Sequence, residues 1–162
     1  MPTIPWYEIT DVEVLDTPSL VIYIERVKKN IQTFVKSIDD VSRLRPHIKT
    51  HKSPEISVMM QEARIKKSNC ATSAEAEILG AREAMDVVHA YQPVGPKANR
   101  LLTLAKKFPA TKFSCLVDNP ETASQVSEIF AGEHIVLPVF IDLNVGMNRT
   151  GVLPEHAHGL YE

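Results

Sequence analysis

The alternation of short apolar strands with amphipathic helices limits the folds open to this chain more than any other feature of its sequence. The predicted strands are 19–24, 43–49, 69–71, 86–91, 112–117 and 139–143. Strands that alternate regularly with helices form parallel βα units. The step from one predicted strand to the next is roughly 17 to 27 residues, which suits either a closed barrel or an open, doubly wound sheet.

Helix starts are marked between these strands. Ser53, Thr72 and Asn119 are capping residues, and prolines follow two of them directly. Thr72 and Glu75 have the spacing of a capping box. Pro96 predicts the start of a further helix, as does Pro154 near the end of the sequence. The sequence therefore predicts a helix after each strand from 43–49 onward.

The absence of a glycine-rich phosphate loop favours the barrel over the open sheet. Neither Gly-x-Gly-x-x-Gly nor Gly-x-x-x-x-Gly-Lys follows any predicted strand, so a nucleotide-binding open sheet loses its main support. We predict an α/β fold that is a partial (β/α)8 barrel of the TIM type. A complete barrel needs about 250 residues, whereas this chain has 162. We therefore expect the N-terminal portion of a longer protein.

Charge and cysteine content narrow the class of protein. A formal net charge of -2 argues against a nucleic-acid binder, which needs a broad basic surface. Cys70 and Cys115 are too few to staple a domain and lack the spacing of metal ligands. We interpret them as reduced thiols in a reducing compartment. No signal peptide or membrane span is evident, and we expect a cytoplasmic protein.

The segment 43–52, Arg-Leu-Arg-Pro-His-Ile-Lys-Thr-His-Lys, combines a basic face with an apolar one. A period of two predicts a strand. If Leu44 and Ile48 face the outer helices, then Arg45, His47 and Lys49 face the barrel interior. Cations in that position need a compensating anion or bound ligand. A basic, solvated edge strand is the equally compatible alternative.

Three side chains are candidates for an active site, namely Lys49, Thr72 and Arg149. Lys49 is crowded by like charges, which favours the neutral amine that Schiff-base chemistry requires. Thr72 follows a strand and either contacts a ligand or simply caps a helix. Arg149 lies in a loop between Gly146 and Gly151 and is a preferred donor to an anionic or phenolic oxygen. A solvent-exposed loop arginine is the alternative for Arg149.

Taken together, these segments resemble the D-threonine aldolase and D-serine dehydratase group of alanine-racemase-like, fold type III pyridoxal-phosphate enzymes. The specific match is Arg-Pro-His-Ile-Lys-Thr-His-Lys at 45–52. Weaker matches follow in the family's order through nearly the whole chain, at 16–20, 70–75, 94–96, 117–119 and 142–151.

The resemblance implies a (β/α)8 barrel followed by a β-rich C-terminal domain. Residues 1–24 would be a lead-in and a strand of that second domain's sheet. Residues 25–162 would be the incomplete N-terminal pyridoxal-phosphate-binding barrel, with about five strands. The late barrel strands, whose glycine-rich loops bind the cofactor phosphate in the family, are not in this sequence.

The resemblance also implies roles for individual residues. In the family, the residue matching Lys49 binds pyridoxal 5′-phosphate covalently, and the one matching Arg149 lies near the ring's phenolic oxygen. His47 would lie beneath or beside the ring, and Thr72 is a further cofactor-binding candidate. A divalent metal, Mn, Mg or Zn, is expected only with the C-terminal region, and we predict no metal ligand here.

The expected activity of the full-length protein is that of a lyase. It would cleave D-β-hydroxy-α-amino acids such as D-threonine into glycine and an aldehyde, and these 162 residues alone would be inactive. A D-serine dehydratase or an amino-acid racemase on the same fold is the nearest alternative. A non-catalytic pyridoxal-phosphate carrier and a phosphate- or RNA-binding module are alternatives of other classes. We expect a small-molecule D-amino acid substrate, a homodimer when full length, and no nucleic-acid or membrane partner.

Overall fold

The computed structural model describes residues 5–162, which divide into two compact units. The first unit ends at Asp39, and the second is Asp40–Glu162. All the predicted site residues lie in the second unit.

The first unit contains one α-helix, α1, over Ile24–Lys36, preceded by a 3-10 turn at Val12–Val14. Ile31 of this helix is buried. The strand predicted over 19–24 is not formed in this structure: residues 19–23 have no regular structure, and the helix already begins at Ile24. A strand forms only where a neighbour satisfies its backbone groups, and no described residue pairs with this segment.

The second unit alternates strands and helices as predicted. Its strands are β1 Lys67–Cys70, β2 Asp86–His89, β3 Lys112–Val117 and β4 Val139–Ile141. Its helices are α2 Pro54–Glu62, α3 Ser73–Gly80, α4 Pro96–Lys107, α5 Pro120–Ala131 and α6 Ala157–Tyr161.

Local capping explains why these helices begin where they do. The hydroxyl oxygens of Ser53 and Thr72 accept backbone N–H groups three residues ahead, both at 3.2 Å. The amide oxygen of Asn119 accepts the N–H of Thr122 at 2.8 Å. Each bond satisfies a donor that a helix leaves free at its first turn. The predicted starts of α2, α3 and α5 are therefore confirmed.

The sheet is entirely parallel, with the strand order β1-β2-β3-β4. A doubly wound sheet reverses its order at a switch point, whereas a barrel adds every strand at the same edge. The sequential order confirms the prediction of the N-terminal part of a (β/α)8 barrel.

The core lies between the sheet and helices α3, α4 and α5. It is formed by apolar side chains from both layers, among them Ile48, Cys70, Leu79, Val87, Leu101, Phe113, Cys115, Val126 and Phe130. Burial raises the pKa of the Cys70 and Cys115 thiols to about 12, so both behave as inert packing groups. The helices thus cover this face of β1, β2 and β3, whereas Val139 of β4 is still 50% exposed.

The basic segment differs from its prediction. It forms no strand over 43–49: a 3-10 turn spans Val41–Arg43, a single parallel bridge joins His47 to Asn69 of β1, and a second 3-10 turn spans Ile48–Thr50. Pro46 has no N–H to donate to a ladder, although its carbonyl accepts the N–H of Asn69 at 2.8 Å. Four barrel strands are therefore formed, and the fifth is reduced to one bridged residue.

Candidate active site

The predicted site residues gather where the parallel strands end. Carboxyl ends of parallel strands share one edge of a sheet, which is where barrel enzymes bind ligands. Thr72 follows β1, Tyr91 follows β2, and Arg149 lies in the loop after β4. The segment that carries Lys49 runs beside the end of β1, through the bridge at His47.

Lys49 lies in a turn that is fastened to the core on one side. Ile48 is 2% exposed and belongs to the helix-side core, as predicted, whereas Lys49 next to it is exposed. The Ile48 carbonyl accepts the N–H groups of His51 and Lys52, at 3.1 and 2.8 Å. A buried apolar anchor therefore holds a turn whose amine is accessible.

The imidazole of His47 caps this turn. Its Nδ1 accepts the backbone N–H of Lys49 at 3.2 Å. Burial, and then the nearby charge of Lys49, lower the pKa of His47 below its ordinary value. Both effects favour the neutral ring, the only form whose Nδ1 can accept that hydrogen bond. His47 therefore orients the backbone of Lys49, and its predicted contact with a cofactor ring stays a prediction.

The cations of the basic segment differ in their partners. The two terminal guanidinium nitrogens of Arg45, Nη1 and Nη2, each donate to the Asp86 carboxylate at 2.7 Å. The hydrogen bond from Arg45 is the main cause that lowers the pKa of Asp86. Lys52 Nζ lies 3.4 Å from Glu75 Oε1. Lys49 has no ion-pair partner in the part of the chain that the structure describes.

This distribution shows how the charge of the basic segment is compensated. The sequence led us to expect an anion or a bound ligand, and the carboxylates of Asp86 and Glu75 neutralise Arg45 and Lys52. Neither carboxylate could be recognised as a partner from the sequence, because each lies far along the chain from its cation and only the tertiary fold brings the two together. Their only sequence signals were a strand start at Asp86 and a capping box at Glu75.

Thr72 has the capping role that the sequence offered as one of two options. Its hydroxyl oxygen accepts the N–H of Glu75 at 3.2 Å, and Glu75 Oε2 accepts the N–H of Ala71 at 2.7 Å. These reciprocal bonds are a capping box displaced by one residue. The contact of Thr72 with a ligand stays a prediction.

Arg149 is carried by a loop that returns from β4 toward the end of β2. Its guanidinium carbon lies 5.9 Å from the centre of the Tyr91 ring, within the range of a cation–π contact. The N–H of Gly151 donates to Asp118 Oδ2, after β3, at 3.2 Å. The loop therefore joins the ends of three strands, and the aromatic surface of Tyr91 was not foreseen from the sequence.

His89, the last residue of β2, is buried beneath the carboxyl-terminal edge of the sheet. It is 1% exposed, its Nδ1 lies 2.9 Å from the Tyr91 carbonyl oxygen, and its Nε2 has no hydrogen-bond partner among residues 5–162. Burial is the main cause that lowers the pKa of His89. His89 pairs in register with Cys70 and Cys115, whose side chains belong to the core on the helix side of the sheet. Its ring therefore contacts the Tyr91 carbonyl from the helix side.

Neither a metal cluster nor a membrane segment is found in residues 5–162. No group of three or more His, Cys, Asp or Glu side chains is placed to hold a metal ion there. None of the helices in this range has both the length and the apolar character needed to cross a bilayer.

Comparison with known proteins gives consistent matches along this chain. The family model described as "Alanine racemase, N-terminal domain" matches residues 22–162. D-threonine aldolase of Arthrobacter sp is 32% identical over 140 residues, which are 85% of this chain and 36% of that protein. D-threo-3-hydroxyaspartate dehydratase of Delftia sp. (strain HT23) is 27% identical over 139 residues, again 85% of this chain and 36% of that protein.

Solved structures give the same pattern. The crystal structure of D-threonine aldolase from Filomicrobium marinum superposes with a TM-score of 0.77 and 28% sequence identity, over 86% of this chain and 37% of that one. The Delftia sp. HT23 dehydratase structure gives a TM-score of 0.76 at 26% identity, over 86% of this chain and 36% of that one. The chain therefore spans little more than a third of the length of the relatives it matches.

Proposed function

The chain belongs to the family of the alanine racemase N-terminal domain, a pyridoxal-phosphate-dependent family, and from this membership we propose its function. It is the N-terminal, cofactor-binding part of a D-amino-acid lyase, in which Lys49 binds pyridoxal phosphate. The reaction is aldol cleavage of a D-β-hydroxy-α-amino acid to glycine and an aldehyde.

One observation carries this proposal: Lys49 is accessible and lacks a carboxylate partner. Of Arg45, Lys49 and Lys52, Lys49 alone has no ion pair among the residues that the structure describes. An amine held by a carboxylate is kept protonated, whereas attack on an aldehyde requires the free amine. The accessible Lys49 amine, without a carboxylate beside it, therefore fits an aldehyde cofactor.

The neighbouring residues have supporting roles in this proposal. His47 holds the backbone of Lys49 through its neutral ring. Arg149, over the Tyr91 ring, offers planar donors to an anionic or phenolic oxygen of the cofactor. Thr72 is the remaining cofactor-binding candidate, although its hydroxyl oxygen already accepts the N–H of Glu75.

The two lyases among the relatives support the reaction class. When bound, pyridoxal phosphate withdraws electrons from the bonds at the substrate's Cα. Cleavage breaks the Cα–Cβ bond, the hydroxyl loses its proton as the aldehyde forms, and the glycine Cα gains one. The divalent metal implied by the resemblance has no ligand cluster in residues 5–162, and we assign it no step.

The decisive experiment is to locate the cofactor on the full-length protein. The protein is incubated with pyridoxal phosphate, reduced with borohydride and digested, and the labelled peptide is identified by mass. We expect the label on Lys49 and its loss in Lys49→Ala, together with a fall in D-threonine cleavage of at least about a thousandfold. Lys66→Ala, which removes another exposed lysine, should keep both. Label that persists on other residues in Lys49→Ala, with activity retained, contradicts the proposal.

The second candidate is a dehydratase, supported by the 27% identity to the Delftia enzyme. Product analysis separates the two reactions: glycine plus an aldehyde indicates the aldolase, and a 2-oxo acid plus ammonia indicates the dehydratase. An inverted enantiomer would indicate a racemase, and labelling without turnover would indicate a carrier.

Three further features belong to the same proposal. Residues 1–24 contribute a strand to the sheet of a C-terminal β domain, and residues 25–162 to the barrel. The full-length protein is a homodimer that acts on small D-amino acids. Its location is the cytoplasm, which the two buried free thiols support because disulfides are rare there.

A further inference from the structure

Glu75 is an unusual carboxylate for a residue in the first turn of a helix. The matching acids of α2 and α5, Glu55 and Glu121, are exposed, whereas the side chain of Glu75 is only 4% exposed. Burial of a carboxylate is costly unless partners compensate its charge. A capping role uses one of its oxygens and leaves the other to be explained.

Each oxygen of Glu75 has a different partner. Oε2 accepts the N–H of Ala71 at 2.7 Å, which completes the cap of α3. Oε1 lies 3.4 Å from Nζ of Lys52, across the edge of the sheet. The second contact joins α3 to the turn that carries Lys49.

Lys52 has a backbone conformation that favours glycine. Its φ is 48°, in the left-handed region, where a residue with a side chain is strained. Its N–H donates to the Ile48 carbonyl at 2.8 Å and so closes the turn. A lysine at such a position points to a use for its side chain, and the contact with Glu75 supplies one.

We propose that Glu75 and Lys52 are positioning residues: the buried carboxylate holds the lysine, and the lysine holds closed the turn that presents Lys49. This inference rests on the proposed function of Lys49. Without the ion pair, the strained residue relaxes and the turn opens while the rest of the barrel stays folded. The Lys49 amine is then presented in many orientations, and its capture of an aldehyde slows.

The test uses the full-length protein and two measurements. The first is amide hydrogen exchange at His51 and Lys52, recorded without cofactor. The second is the rate at which pyridoxal phosphate labels Lys49, read by borohydride reduction and peptide mass. Glu75→Gln keeps an oxygen for the Ala71 N–H but loses the ion pair. Lys52→Ala loses the ion pair and leaves the cap of α3 intact.

We expect both variants to speed exchange at these two amides, and to slow labelling, by about three- to tenfold, a modest effect because Lys52 is largely exposed. The double variant should change no more than either single variant, since both remove the same contact. Lys52→Arg keeps the charge and should stay within about twofold of the unsubstituted protein.

Glu77→Gln is the matched control. It removes a 2.7 Å ion pair between Glu77 of the same helix and Lys107, away from the Lys49 turn. We expect unchanged exchange at His51 and Lys52 and unchanged labelling of Lys49.

The outcomes separate this inference from the proposed function. If Lys52→Ala leaves exchange unchanged, or if the two substitutions add independently, Glu75 acts only as a helix cap and the positioning role is wrong. If the unsubstituted protein takes no label on Lys49, the proposed function is wrong, and the exchange data still decide whether the ion pair holds the turn.

Discussion

Two segments present the candidate cations of the site, and they are held in different ways. The turn at 47–52 is held by three contacts: Ile48 packs in the core, the His47 imidazole accepts the N–H of Lys49, and Lys52 pairs with Glu75 of α3. The loop at 144–151 is polar and largely exposed, and its Asn144 side chain accepts the N–H groups of Gly146 and Asn148 at 3.2 and 3.0 Å. The first segment takes its shape from burial, whereas the second takes it from hydrogen bonds.

This difference indicates which interactions must be lost before each segment can open. The turn has a buried anchor in the packed core at Ile48, a hydrogen-bonded cap at His47 and an ion pair at Lys52, so several contacts resist its opening. The loop can open by losing a few solvent-accessible hydrogen bonds, at a free energy well below that of global unfolding. Under the proposed function, an amine that must meet an aldehyde repeatedly in one orientation suits the first kind of support.

The largest expected effect comes from removing the buried anchor of the turn. Ile48→Ala should lower the free energy of unfolding by about 2–4 kcal/mol, because it leaves a cavity in the core. Urea denaturation of the full-length protein measures it. Val145→Ala, in the loop and 79% exposed, should change stability by less than about 0.5 kcal/mol. Equal effects at the two positions would break the comparison.

A smaller effect is expected at the end of the loop. A Cβ at Gly151 would lie 2.8 Å from backbone atoms of Asp142, Leu143 and Asn144, and its φ is 94°. Gly151→Ala should therefore destabilise the closed loop by roughly 2 kcal/mol with little change in the melting temperature, measured as faster amide exchange at 144–151.

Gly146→Ala sharpens that result. Gly146 also has a positive φ, of 121°, but open space around the added Cβ. It should loosen the loop less than Gly151→Ala, and the difference between them isolates the backbone clash. If Gly146→Ala proves the more disruptive, the contact of Gly151 with the strand end does not hold the loop.

The gentlest perturbation is a change of pH. Burial is the main cause that lowers the pKa of His47, His51 and His89 below the ordinary value of 6.5. The unfolded chain therefore binds more protons in this range, and stability present above pH 6.5 is lost as the pH falls through the lower folded values.

The same acidification should open the turn before the loop. Protonation of His47 removes the Nδ1 acceptor of the Lys49 N–H. Amide exchange at Lys49, corrected for its intrinsic pH dependence, should rise between pH 7 and pH 5, and His47→Gln should abolish that rise. A pH-independent corrected rate would show that the imidazole does not cap the turn.

Local contacts explain the predictions that succeeded. The caps at Ser53, Thr72 and Asn119 bond N–H groups three residues ahead, so a short window of sequence contains both partners. The strand at Lys112–Val117 is confirmed at both ends, because its buried apolar run is bounded by turn residues on either side. The family resemblance was likewise carried by short motifs.

The predictions that failed depended on distant partners. The alternation over 43–49 is real, but a strand also needs a neighbour, and this segment pairs with β1 at His47 alone. Segment 19–24 has strand-like residues and no described partner. Periodicity reports which faces are apolar, and it does not report whether a second strand lies alongside.

By itself, the sequence determined the alternation of strands and helices from β1 onward, the capped helix starts and the presence of Lys49 within a basic segment. Only the tertiary structure decided which cations are neutralised, since the fold brings Arg45 to Asp86 at the start of β2 and Lys52 to Glu75 in α3. The physical reason is that ion pairing depends on distances of a few ångströms in space, and residues far apart in sequence reach those distances only once the strands have aligned.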